Sequence, residues 1–189
     1  MTGNRSTDIN LADFKISSMA SSHITNNFLK LLDPAVEKLL GLDKMKLMYK
    51  DGLQGRADME FIDNCLSIVN AKVSYKSKEL DLIPKDGPAI VVCNHPYGGL
   101  DGLILYSLLK QVRPDFKIMA NNVLKLFPEL QKHIIYVDAF QANNPENFSP
   151  LKQSLKHLKK GGLLAVFPAG EVSHYKLKKN KVSDSEWND

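Results

Sequence analysis

Two short apolar runs, Ala89 to Cys93 and Leu163 to Phe167, each end in a turn rich in proline and glycine. Runs this short, bounded by turn signals, fit buried strands better than helices. Between them the pattern alternates. Leu103, Ile104, Leu108 and Leu109 supply the apolar face of a helix from about Asp101 to Lys110. Short strands are expected at Phe116 to Met119 and Ile134 to Val137, separated by a helical stretch around Val123 to Leu126. Ser149-Pro150 starts another helix, with Leu151, Leu155 and Leu158 as its buried stripe and Gly161-Gly162 as its end. Such alternation predicts an α/β fold, a mixed sheet flanked by helices.

The segment before this core reads differently. Residues 1–25 are polar and serine-rich and are expected to form a flexible arm. Residues 26–70 form a helical region: Phe28, Leu31, Leu32, Ala35, Val36, Leu39 and Leu40 recur at helical spacing, and Leu42, Met45, Met48 and Tyr49 lead to a turn at Asp51-Gly52. Asp58 opens a further helix carrying Phe61, Ile62, Cys65, Leu66 and Val69. Val73 and Tyr75 fit one strand and Leu80 to Ile83 another, ended by Pro84, so the core is placed at residues 71–189. A length of 189 residues and an apolar content of 43% suit a single domain.

Several function classes are excluded. No apolar run approaches the roughly 20 residues that span a bilayer, so a membrane contact would be peripheral. Met1 to Asn10 lacks the basic and apolar regions of a secretory signal. Cys65 and Cys93 lie far apart, which suggests neither a disulfide framework nor a zinc site and fits a reducing, cytoplasmic compartment. His23, His133, His157 and His174 lack metal-ligand spacing and no phosphate-binding loop occurs, so neither a metal nor a resident cofactor is expected. The net charge is +4, with Lys152, Lys156, Lys159, Lys160, Lys176, Lys178, Lys179 and Lys181 crowded around the single acid Glu171. Such a cluster could face anionic headgroups, a phosphorylated substrate or an acidic carrier protein, or form a solvated face. Few aromatics interleave with it, so nucleic acid is not expected.

The first run delivers Asn94 and His95 to the carboxyl edge of a sheet, where α/β proteins commonly hold ligands. Gly98 and Gly99 permit a tight turn and close approach of a substrate, so His95 could meet Asp101. A carboxylate that holds one imidazole nitrogen as N–H leaves the other to take a proton from an attacking hydroxyl. The same residues also fit a bland reading, with Asp101 capping the next helix and His95 a satisfied turn residue. A different enzyme class would use Cys93 as a thioesterase-like nucleophile, two positions from His95. A third reading makes the protein a non-catalytic, peripheral lipid-binding module.

Taken together, Asn94-His95…Asp101, Ile134-Ile135-Tyr136-Val137-Asp138 and Phe167-Pro168-Ala169-Gly170-Glu171-Val172-Ser173 resemble the ordered motifs of the glycerolipid acyltransferase superfamily, which includes bacterial 1-acylglycerol-3-phosphate acyltransferases. More narrowly, the chain resembles a bacterial branch often labelled putative hemolysin and related to the O-acyltransferases of ornithine and glycine lipid synthesis. The resemblance spans roughly residues 70–175. It implies a glycerol-3-phosphate acyltransferase-like fold and transfer of a fatty acyl group from an acyl carrier protein or coenzyme A thioester, without an acyl-enzyme intermediate. The expected acceptor is the hydroxyl of a lyso-lipid, and the expected location is peripheral, on the inner face of the cytoplasmic membrane. It further implies His95 as base, Asp101 as its orienter, and substrate binding by Asn94, Gly98, Gly99, Phe167, Pro168, Gly170, Glu171 and Ser173.

The chain departs from the family pattern in three ways. Five residues separate His95 from Asp101 where the common motif has four, so the paired glycines must absorb one. Ala169 replaces the usual glutamate and Glu171 the threonine, while Ala139 and Val172 stand where arginines are usual. Neither can replace the directed donors with which arginine binds phosphate, which favours a lyso-aminolipid acceptor over a glycerol phosphate, unless Lys176, Lys178 or His174 compensates. Finally, family members usually continue well beyond the position of Asp189, so the core is expected to be incomplete at its C-terminus.

Overall fold

A computed structural model describes residues 49–56, 58–138, 148–170, 172–176 and 180–183. The chain divides into two compact units, residues 1–64 and 65–189. The arm at 1–25 and the helical stripe up to Met48 lie outside the described residues. In the first unit Tyr49 to Leu53 forms one wide turn, closed by the Gln54 amide donating to the Tyr49 carbonyl at 2.8 Å. Helix α1 (Asp58–Ile68) follows as its pattern predicts, and the boundary between the units falls within it.

The second unit is built on a parallel sheet of four strands, β1 (Ala89–Val92), β2 (Lys117–Asn121), β3 (Ile134–Val137) and β4 (Leu163–Val166), in the order β1-β4-β2-β3. Helix α2 (Gly99–Val112) links β1 to β2, and α3 (Phe148–Lys159) packs against β3 and β4. This is the expected α/β fold. Parallel and antiparallel pairing both occur, but in separate sheets, since β5 (His174–Lys176) and β6 (Lys181–Ser183) form their own antiparallel pair. Leu163, Leu164 and Ala165 are buried because β4 lies inside the sheet with neighbours on both sides.

Several local expectations are corrected. Ala89 to Cys93 is not fully buried: among the described residues β1 is an edge strand, and its alternate residues Ile90 and Val92 are 57% and 51% exposed. Val73 and Tyr75 form no strand. Tyr75 instead donates its hydroxyl proton to Gln111 on α2 at 2.8 Å. Leu80 to Ile83 is also no strand, because successive local bonds capture the backbone: Asp81 to Ser77, Leu82 to Glu79 and Ile83 to Leu80. On α3, Leu151 and Leu155 are exposed, and the buried positions are Pro150 and Ser154. The Ser154 hydroxyl donates to the Pro150 carbonyl at 3.0 Å, and His157 Nε2 donates to the Leu163 carbonyl at 3.0 Å. That polar row turns inward because the imidazole fits over Gly162, where a Cβ would lie only 2.3 Å from its ring. On α2, Leu109 is buried as expected together with Leu105 and Tyr106, whereas Leu103, Ile104 and Leu108 are half-buried.

Two polar side chains hold the frame that carries the site. His133 is buried between Phe116, stacked at 4.2 Å, and the edge of Tyr106, and its Nδ1–H donates to the Phe116 carbonyl at 3.0 Å. Arg113, also buried, forks onto both oxygens of Asp115 at 2.9 and 2.6 Å. It further donates to the carbonyls of Pro84, Gly87 and Gly161. One guanidinium therefore ties the end of α2 to the turns that feed β1 and β4.

Candidate active site

Register brings the two strand-end turns together. Val92 pairs with Val166, and the Cys93 amide extends the ladder by donating to the Val166 carbonyl at 3.1 Å. The residues that follow therefore leave the sheet side by side. The His95 ring stacks on Phe167 with centroids 4.2 Å apart and planes 25° from parallel. Further along, the Ser173 amide donates to the His95 carbonyl at 3.0 Å. Phe167 to Gly170 is a tight turn, closed by the Gly170 amide bonding to the Phe167 carbonyl at 3.0 Å, and Gly170 has φ of 68°.

His95 Nδ1 lies 3.1 Å from Asp101 Oδ2, with the two side chains 20% and 13% exposed. The same oxygen accepts the Tyr97 amide at 2.7 Å. A carboxylate accepts, so Nδ1 carries the proton and Nε2 holds the free lone pair. Two contacts thus converge on one atom: Asp101, in the first turn of α2, ties the entry of the helix through the Tyr97 amide and meets the imidazole of His95. Of the paired glycines only Gly98 adopts an unusual conformation, at φ 65° and ψ −126°, while Gly99 is already the first residue of α2. A Cβ on Gly98 would stand 3.4 Å from Val172 Cγ2. Val172 therefore lies against the turn beside the dyad, at the position where an arginine is usual.

Of the residues singled out from sequence, His95, Asp101, Gly98, Phe167 and the Ser173 amide meet in one cluster. Asn94 and Gly99 are exposed in the first turn, and Pro168 and Gly170 shape the second. Glu171 and Ala139 lie outside the described residues. Tyr97 escaped the sequence reading because its contribution is a backbone amide, which no side-chain motif reveals. Burial, and then the negative charge of Asp101, push the Cys93 thiol above its ordinary range, which disfavours the thiolate a nucleophile needs. A separate cavity of about 250 Å3 is lined by Asn122, Lys125, Tyr136, Asp138, Ser149, Pro150 and Gln153, none of them a predicted site residue. Among the described residues no group of three or more His, Cys, Asp and Glu could hold a metal ion, and no helix is long and apolar enough to cross a membrane.

The family model described as Acyltransferase matches residues 74–182, which include both turns. The chain is 25% identical over 146 residues to the lyso-glycine lipid O-acyltransferase of Phocaeicola vulgatus, covering 77% of this chain and 50% of that protein. It is 23% identical over 153 residues to the lyso-glycine lipid O-acyltransferase of Bacteroides thetaiotaomicron, covering 80% of this chain and 53% of that protein. The chain thus spans about half the length of the curated relatives it matches. No solved structure matches it significantly.

Proposed function

This chain belongs to the acyltransferase family, and from that premise we propose that it transfers a fatty acyl group from an acyl carrier protein or coenzyme A thioester to the hydroxyl of a lyso-lipid. The observation that carries the reading is the His95–Asp101 pair at 3.1 Å. The acceptor hydroxyl binds at His95 Nε2 and loses its proton to it as the oxygen attacks the thioester carbonyl carbon. Asp101 steadies the imidazolium that forms. The tetrahedral oxyanion is stabilised by backbone amides of the glycine turn. Among the described residues those of Gly98, Gly99 and Leu100, at the positive end of α2, meet no backbone acceptor. The carbon–sulfur bond then breaks, the thiol leaves with the proton from His95, and the ester remains. The thioester is a co-substrate, and no resident cofactor takes part.

The apolar Val172 beside the dyad supports an acceptor other than a glycerol phosphate, since it offers no donors to a phosphate. The names of the two relatives support a lyso-glycine lipid or a similar lyso-aminolipid. On this reading the protein acts peripherally on the inner face of the cytoplasmic membrane. The test offers both kinds of thioester with a panel of lyso-lipids and a His95→Ala control. Product that depends on His95 is expected, and its absence with every acceptor would refute the assignment.

A further inference from the structure

Helix α3 shows three rows of side chains. Pro150, Ser154 and His157 face the sheet. Phe148, Leu151 and Leu155, spaced i, i+3 and i+7, form an outer apolar row and are 74%, 52% and 51% exposed. Lys152, Lys156 and Lys159, at the same kind of spacing, run alongside and are exposed too. Residues 148–160 contain four lysines, Lys152, Lys156, Lys159 and Lys160, and no acid. Apolar and basic rows thus share the face that points away from the sheet.

We propose that this face adsorbs to an anionic lipid bilayer, Leu151 and Leu155 entering the headgroup boundary while Lys152, Lys156 and Lys159 bind the lipid charges. An amphipathic helix lying in the interface inserts its apolar row about 5–10 Å, and each lysine near an anionic surface strengthens binding about fivefold. The complement is a surface of negative charge over hydrocarbon. An acidic protein would have to match both rows with its own paired stripes, whereas an anionic bilayer presents charge over hydrocarbon everywhere on its surface. Because α3 returns between the parallel strands β3 and β4, its Phe148 end lies at the carboxyl edge of the sheet, the edge that also carries His95. Adsorption through α3 therefore keeps that edge close to the bilayer. The inference deepens the lipid-acyltransferase reading and rests on it for biological purpose, but its test is independent of turnover.

The experiment is co-sedimentation of the full chain with phosphatidylglycerol or phosphatidylcholine vesicles over a salt series. The wild-type chain and His95→Ala are expected to bind phosphatidylglycerol alike and to release it as salt rises. Leu151→Glu/Leu155→Glu should weaken binding at least about tenfold, and Lys152→Glu/Lys156→Glu should weaken it at least about 25-fold and flatten the salt dependence. Thermal melts check folding, and Leu151→Ser/Leu155→Ser replaces the first pair if it melts early. The proposal is overturned if the wild-type chain ignores the vesicles or if the folded variants bind like wild type. It is equally overturned if the variants lose only a dimer of this chain or only binding to acyl carrier protein. Failure to form any product with vesicle binding intact would instead count against the catalytic reading alone.

Discussion

The backbone amide of Ser173 bonds to the carbonyl oxygen of His95 at 3.0 Å, so the two strand-end turns are held together by main chain as well as by the stacked rings of His95 and Phe167. This tether needs no particular side chain at Ser173. It does need the His95 carbonyl to point toward the second turn, which the shared register of β1 and β4 secures.

Asp101→Asn separates the two duties of the carboxylate. An asparagine oxygen can still accept the Tyr97 amide but no longer stabilises an imidazolium. Acyl transfer should fall by about 10²–10⁴-fold while the melting temperature moves by less than about 4 °C, compared in single-turnover assays and thermal melts. Equal losses of activity and stability would argue for a structural role alone.

Gly98→Ala forces a side chain into φ 65° and ψ −126° and against Val172. A cost of about 1–3 kcal/mol in urea unfolding is expected, with loss of acyl transfer as His95 and Asp101 separate. Gly99→Ala has open space and lies in a helix, so its unfolding curve should match wild type.

Cys93→Ser should retain acyl transfer within a few-fold, because the thiol is held protonated by burial and by Asp101. Complete loss of turnover in a folded Cys93→Ser protein would restore the nucleophile reading.

Asp115 is held below the usual carboxylate range, first by its hydrogen bonds to the Arg113 guanidinium. A carboxyl with a depressed folded pKa contributes stability above its unfolded pKa and loses it as pH falls toward the folded value. Urea midpoints of the wild-type chain should therefore decline as pH falls from about 5 to about 3, and Asp115→Asn should decline less steeply over the same window. Identical slopes would show that the pair contributes nothing to acid sensitivity.

Gly162→Ala places a methyl group against the His157 ring and should destabilise by about 1–3 kcal/mol. In a His157→Ala background that cost should shrink by at least about 1 kcal/mol, a coupling readable in a double-mutant cycle. Additive losses would mean that the strain lies elsewhere.

What the sequence determined by itself was the alternation of strands and helices, the two polar turns and the residue types within them. The runs at Ala89 and Leu163 are short, apolar and bounded by proline and glycine, and His95, Asp101 and Phe167 follow them in an order with chemical meaning. Tertiary structure decided which faces are buried and which turns meet. Alternation along Ile90 and Val92 cannot say that β1 is an edge, and the leucines of α3 look like a core stripe until the inward fit of Ser154 and His157 turns them to solvent. The stretch from Leu80 to Ile83 lost its strand to local turn bonds, because a strand exists only where a partner supplies the ladder. The contact of His95 with Asp101 depended on one glycine conformation, and its union with Phe167 on a strand register between residues more than 70 positions apart. Local pattern reports how a segment prefers to fold, whereas burial and register depend on what packs against it, and that is a property of the whole chain.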